Sequence, residues 1–147
     1  MTEATTIRQA RSSDQEAILR LLDAAFSPST YEPTLVKLAT LAQGLAHAWV
    51  AETDEGGLAG YVLYTPAMRE GAIIGWHLAP VAVMPEWQGR GIGSALVRQT
   101  LSSPALEKEA VFVLGDPAFY ERFGFGMISG ERRVAPRPGR DAAAAAS

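Results

Sequence analysis

Three glycines fall within five residues, Gly89-Arg90-Gly91-Ile92-Gly93, where a strand-like run gives way to a helix-like one. The full segment is Val81-Ala82-Val83-Met84-Pro85-Glu86-Trp87-Gln88-Gly89-Arg90-Gly91-Ile92-Gly93-Ser94. Glycine has no Cβ, so its backbone N–H can approach a ligand closely. The first N–H groups of a helix lack partners within it, and the helix dipole makes that end positive. Together these features suit an anion, and a pyrophosphate fits. Arg90 can add a charge-assisted contact to phosphate.

Such a segment has three readings. A Walker A phosphate loop places a lysine and a serine or threonine after its last glycine, and no lysine stands here. A dinucleotide-binding loop needs a third glycine three positions after Gly93, where Leu96 stands, and its first glycine directly after the strand. Five residues separate Val83 from Gly89, although Asp116 after the following strand mimics the ribose-binding acid. The third reading is a tight turn that packs a helix on a sheet and binds nothing. The glycines alone leave the choice open.

The elements around the segment form an alternating series. Thr5 to Ala10 reads as a strand. Ser13 and Glu16 read as a capping box, followed by Ile18, Leu21, Leu22, Ala25 and Phe26 on one helical face. Ser27 and Pro28 end that helix, and Pro33 opens a second one that Gly44 closes. Ala48 to Thr53 and Leu58 to Tyr64 read as a hairpin across the turn 54–57. Ala72 to Val83 is a further strand. Pro80 cannot donate to a ladder, so a bulge is expected at Ala79-Pro80. Gly91 to about Ser102 reads as a helix, and the apolar run Ala110 to Leu114 as a strand buried by parallel pairing. Strand, helix and strand then make a right-handed crossover. Asp116 and Pro117 open a short last helix that Gly124 ends in a left-handed conformation.

The chain has 147 residues, which suits one domain, expected over residues 1–130. Arginines and prolines, then an alanine run, point to a disordered tail over 131–147. No apolar run approaches the roughly 18 residues needed to span a bilayer, and Met1 to Arg11 lacks a signal-peptide stretch. A cytoplasmic protein with no membrane partner is expected. There is no cysteine, which excludes disulfides, thiolate metal sites and a cysteine acyl-enzyme. His47 and His77 are too few for a metal cluster, so no metal is expected. A net charge of −3 argues against a general nucleic-acid surface.

Context separates the three readings of the glycines. Gln88-x-x-Gly91-x-Gly93, preceded by Leu78 to Val83, resembles the acetyl-CoA motif Q/R-x-x-G-x-G/A of the GCN5-related N-acetyltransferase (GNAT) family. Tyr120-Glu121-Arg122-Phe123-Gly124-Phe125 is similar to that family's Y-E-K-x-G-F signature. Leu114-Gly115-Asp116-Pro117-Ala118-Phe119-Tyr120 resembles a bacterial branch with the signature L-G-D-P-x-x-Y-x-R-F-G-F. Ile7 to Ala10 followed by Asp14 matches the usual opening. The resemblance runs in order from about Thr5 to Gly126.

It implies an α/β fold with a central mixed sheet flanked by helices, in which two parallel strands splay apart. Acetyl-CoA would enter that gap. Its pantetheine arm would pair with the backbone of Val81, Ala82 and Val83. Its pyrophosphate would rest on N–H groups from Gly89 through Ser94, with Gln88, Arg90, Ile92, Phe119 and Asp116 nearby. Asp116 stands where many relatives carry asparagine, which weakens its direct contact. The implied reaction is acetyl transfer to a primary amine of a small molecule or peptide. Tyr120 matches the tyrosine that would protonate the departing thiolate. His77 occupies a strand position where some relatives place a basic glutamate, and a water relay is the alternative base. A CoA-binding sensor or scaffold without catalysis is the non-enzymatic alternative.

The family continues past Gly-Phe with two more strands, whereas Met127 to Ser147 offers little strand pattern. The last strands are therefore expected to be short or missing. An exposed edge there would pair with a second copy, so a homodimer is among the expected partners.

Overall fold

The computed structural model describes residues 5–26, 46–113, 117–129 and 132–134. In chain order these form β1 (Thr5–Gln9), a 3-10 turn (Ser12–Asp14), α1 (Gln15–Phe26), β2 (His47–Thr53), β3 (Leu58–Arg69) and β4 (Ala72–Val83). A 3-10 turn (Pro85–Trp87) leads to α2 (Ile92–Leu101) and β5 (Val111–Val113). Then come α3 (Pro117–Tyr120), a 3-10 turn (Glu121–Phe123), β6 (Gly126–Ser129) and β7 (Arg132–Val134). The strands join in one sheet in the order β1-β2-β3-β4-β5-β7-β6. The β4–β5 pair is parallel and the other pairs are antiparallel, so the sheet is mixed, as expected.

The helices cover opposite faces of this sheet. Strand alternation sends successive side chains to opposite sides. Val50, Tyr61, Leu63 and Ala82 meet Ile18, Leu21 and Leu22 of α1. Trp49, Val62, Tyr64, Leu78 and Val111 meet Ile92, Leu96 and Val97 of α2. Thr100 is buried and gives its hydroxyl proton to the Leu96 carbonyl at 2.6 Å. The Tyr64 hydroxyl, 2.6 Å from Thr100 Oγ1, must then be the donor of the second bond, which ties α2 to β3.

The start of α1 differs from the expected Ser13–Glu16 capping box. The Asp14 carboxylate accepts the Arg11 backbone N–H at 2.7 Å. It also receives two bonds from Arg8, at 2.9 and 3.0 Å. A carboxylate facing a guanidinium is a stronger acceptor than a serine hydroxyl, so the turn forms around Asp14 instead. Arg8 further reaches Glu52 at 3.2 and 3.3 Å, linking β1, β2 and the α1 entry. These bonds hold the Asp14 carboxyl below its ordinary range. The helix expected after Pro33 lies outside the described residues.

β4 contains the expected bulge. Val62 pairs with Val81 and Tyr64 with Leu78, so two steps on β3 oppose three on β4, around Ala79-Pro80. The extra residue reverses the facing pattern. Trp76 and Leu78 contact the α2 layer before the bulge, and Val81 and Val83 do so after it. Near its start β4 approaches β5 closely, with the Trp76 N–H bonded to the Ala110 carbonyl at 2.9 Å. Gly75 permits this approach, since an added Cβ would run into the Ala110 carbonyl oxygen.

Of the two expected outcomes at the C-terminal end, short or missing strands, the first is found. Both closing strands are present, though only four and three residues long. β7 lies between β5 and β6 and pairs with both. A strand of three residues is too short to show alternation, which hid it in the sequence.

Candidate functional site

The splayed strands are visible in the pairing of β4 with β5. It comprises Trp76 with Val111 and His77 with Phe112. β4 runs on to Val83 without a further β5 partner among the described residues. Among the described residues no strand pairs with its polar edge over the last residues. The Met84 N–H turns the other way, to the Ala59 carbonyl of the β3 side at 2.8 Å. With a period of two, Ala82 points as Met84 does, and the amide groups of Val81 and Val83 point into the gap. The Gln88 side chain confirms that direction by donating from Nε2 to the Val83 carbonyl at 3.0 Å.

The gap widens into a cleft of about 680 Å³. One wall carries Val81, Ala82 and Val83 and continues into Gln88, Gly89, Gly91, Ile92, Gly93 and Ser94. The other carries Phe119, Tyr120 and Arg122, and the C-terminus of α1 adds Ala25 and Phe26. The space is ample for a cofactor-sized ligand.

The glycine loop is built from backbone geometry. Gly89 and Gly91 adopt φ of 81° and 82°, a left-handed conformation that other residues pay to enter. Gly91 is the N-cap of α2 and supplies no side-chain cap. The first helical bond runs from the Ala95 N–H to the Gly91 carbonyl at 3.0 Å. The N–H groups of Ile92, Gly93 and Ser94 precede that ladder and point out of the helix end. Gly93 lies between the walls: a Cβ there would stand 3.6 Å from Val83 and 3.7 Å from Phe119.

Tyr120 is half-buried on the second wall, in edge contact with Phe119 and Phe125 at ring separations of 4.9 and 5.7 Å. These rings fix its position beside the opened strand. Phe119 also meets Phe123 edge-on. The 3-10 turn that follows α3 ends at Gly124, whose φ of 90° matches the left-handed stop expected there.

Two expected site residues are not brought to the cleft. Arg90 donates to the Glu86 carbonyl at 3.2 Å and stacks over the Trp87 ring at 4.7 Å, and it is not among the residues that line the cleft. His77 lies before the bulge, where its ring sits 6.2 Å from that of Phe112. The inserted residue at Ala79-Pro80 puts His77 on the face opposite Val81 and Val83. Asp116 lies outside the described residues. Trp87, Ala25 and Arg122 line the cleft without having been singled out. The arginine of the Y-E-R-F-G-F stretch was the signal available for Arg122. His47 stacks against Trp76 at 4.6 Å, and burial lowers its pKa. It belongs to the aromatic packing of β2 to β4. Among the described residues no group of metal-ligating side chains gathers.

Comparison with known proteins gives consistent matches. The family model described as "Acetyltransferase (GNAT) domain" matches residues 44–126, more than half of the chain. "Uncharacterized N-acetyltransferase YhbS" of Escherichia coli (strain K12) is 38 % identical over 96 residues, which are 64 % of this chain and 58 % of that relative's length. "Amino-acid acetyltransferase" of Mycobacterium tuberculosis is 34 % identical over 131 residues, covering 84 % of this chain and 70 % of the relative. The crystal structure of a GNAT family acetyltransferase from Brucella melitensis in complex with acetyl-CoA superposes with a TM-score of 0.80 at 32 % identity. It covers 95 % of this chain and 92 % of the other.

Proposed function

Because the chain belongs to the GNAT acetyltransferase family, we propose that its cleft binds acetyl-CoA and that the acetyl group passes directly to a primary amine of a small molecule or peptide. One observation carries this reading. The strand edge opened at Val81 and Val83 runs straight into the unpaired N–H groups at the start of α2. An extended chain bearing amides at one end and phosphates at the other matches that order of groups. The Brucella melitensis relative was crystallised with acetyl-CoA, which supports the choice of cosubstrate.

The reaction places few demands on the protein. The amine nitrogen attacks the thioester carbonyl carbon, and the C–S bond breaks as the tetrahedral intermediate collapses. The departing sulfur takes a proton, which we assign to the Tyr120 hydroxyl because that ring lines the cleft, and the proton that the nitrogen loses on forming the amide goes to solvent, from which the hydroxyl is restored. With no cysteine in the chain, no cysteine acyl-enzyme precedes the attack. The amine must arrive without its own proton, since an alkyl ammonium with a pKa near roughly 10 has no free lone pair. His77 stands outside the lining, so we give that deprotonation to solvent.

The test is a thiol-release assay with acetyl-CoA over a panel of amines. Amino acids lead the panel, because the Mycobacterium tuberculosis relative is named an amino-acid acetyltransferase. Polyamines, aminoglycosides and peptide N-termini follow. Amine-dependent release of CoA supports the reading. Tight binding of acetyl-CoA with no turnover on any amine would convert the protein to a sensor or scaffold.

A further inference from the structure

The cleft has a charge to balance. CoA carries a diphosphate and a 3′-phosphate, while the start of α2 contributes only about half a positive charge. Gly89 and Gly91 add N–H groups but no net charge. The loop's own cation, Arg90, donates to the Glu86 carbonyl and stacks over Trp87, and is not itself a lining residue.

A different arginine faces the cleft. Among the described lining residues, Arg122 is the one that carries a formal charge. It follows α3 in the 3-10 turn Glu121–Phe123, on the wall opposite the glycine loop. Its guanidinium lies over the Phe119 ring, 5.0 Å from the centroid. Phe119 in turn reaches across to Gly93, where a Cβ would meet the ring's Cζ at 3.7 Å. Stacking holds a guanidinium by its flat face and leaves the N–H groups at its edge available. Among the described residues no carboxylate forms a salt bridge with it. An arginine held over an aromatic ring of the cleft lining, with no acidic partner among the described residues, is arranged for a phosphate.

We propose that Arg122 binds a phosphate of the cosubstrate and so closes the anion site from the wall opposite α2. The assignment rests on the acetyl-CoA reading of the cleft. Phe119 acts as the platform that aims the guanidinium.

Calorimetry with CoA, dephospho-CoA and pantetheine on the wild type, Arg122→Gln and Arg122→Lys tests it. Arg122→Gln should weaken CoA binding by roughly 10- to 100-fold, the range for a lost charged hydrogen bond, and leave pantetheine binding unchanged. Arg122→Lys should fall between, because it keeps the charge without the fork. A loss confined to CoA assigns the 3′-phosphate, and an equal loss with dephospho-CoA assigns the diphosphate. Undiminished CoA binding by Arg122→Gln, or an equal loss for pantetheine, would overturn the role of Arg122 while leaving the site intact. A wild type that binds none of the three would overturn the site and Arg122 with it.

Discussion

The two halves of β4 share one strand and do opposite jobs. At Trp76 and His77 the strand lies against both neighbours, paired with β3 on one side and in register with Val111 and Phe112 on the other. From Leu78 to Val83 it keeps β3 and has no β5 partner among the described residues. The bulge at Ala79-Pro80 separates the halves. An unpaired strand edge is ordinarily a liability, prone to recruit another chain. Here it becomes one wall of a cleft whose other side carries Phe119 and Tyr120. The contrast shows how a sheet makes room for a ligand: it withholds one strand partner over a few residues and keeps the rest closed.

The largest effect should come from breaking the closed half. Gly75→Ala would drive a Cβ into the Ala110 carbonyl and to 3.0 Å from the Phe112 ring. The backbones must move apart, at a cost of about 3 kcal/mol, the upper end for overpacking. A denaturant melt reads this as a lowered midpoint, and an unchanged midpoint would mean that β4 and β5 do not meet as described.

Next in size is the chemistry of the open half. Tyr120→Phe should lower turnover by roughly 100-fold, as expected for a lost general acid, with little change in acetyl-CoA affinity. The control is His77→Gln in the closed half. Its pH–rate profile should match the wild type, with no lost limb near the ordinary histidine pKa of about 6.5. A lost limb would return His77 to the role of base. Undiminished turnover in Tyr120→Phe would remove the acid.

Gly91→Ala should have a smaller effect on stability. No atom stands within 4 Å of the added Cβ, so its cost is torsional, about 1–2 kcal/mol for a left-handed residue. Relief of that strain would tilt the first N–H groups of α2, so acetyl-CoA affinity should drop as well. A melt and a titration on the same sample separate the two. An affinity loss without any stability loss would show that Gly91 is not held left-handed.

The smallest effect lies away from β4, at the Arg8–Asp14–Glu52 cluster. The Arg8 bonds keep the folded Asp14 pKa below its unfolded value of about 3.9. Asp14 therefore contributes stability that is present above that pH and fades as pH falls through the folded pKa. The stability difference between wild type and Asp14→Asn should shrink on acidification below about pH 3.9, with acetyl-CoA affinity at neutral pH the same in both. A difference that persists unchanged in acid would show that the ion pair contributes nothing.

Much of this contrast was legible in the sequence. Pro80 has no N–H, so a bulge near it followed from covalent chemistry. Gly89 and Gly91 before an amphipathic helix announced a backbone anion cradle, and the apolar Val111–Val113 run announced parallel burial. Other features depend on distant neighbours. His77 was matched to a strand position of some relatives, and the bulge between it and Val81 shifts the facing pattern by one residue and so puts it on the other face. The choice between Arg90 and Arg122 depends on where Trp87 and Phe119 stack, which spacing along the chain does not encode. β6 and β7 are too short to carry a period, and arginines at 132 and 133 conceal the second. The α1 entry followed a carboxylate reached by Arg8 rather than the nearer serine, a preference set by tertiary charge.

Amide hydrogen exchange with and without acetyl-CoA tests the central claim most directly, because it reads both halves of β4 in one experiment. The account predicts new protection at Val81 and Val83 and at Ile92 to Ser94, with Trp76 and His77 unchanged. Binding that leaves 81–94 unprotected, or that protects Trp76 and His77 equally, would contradict it.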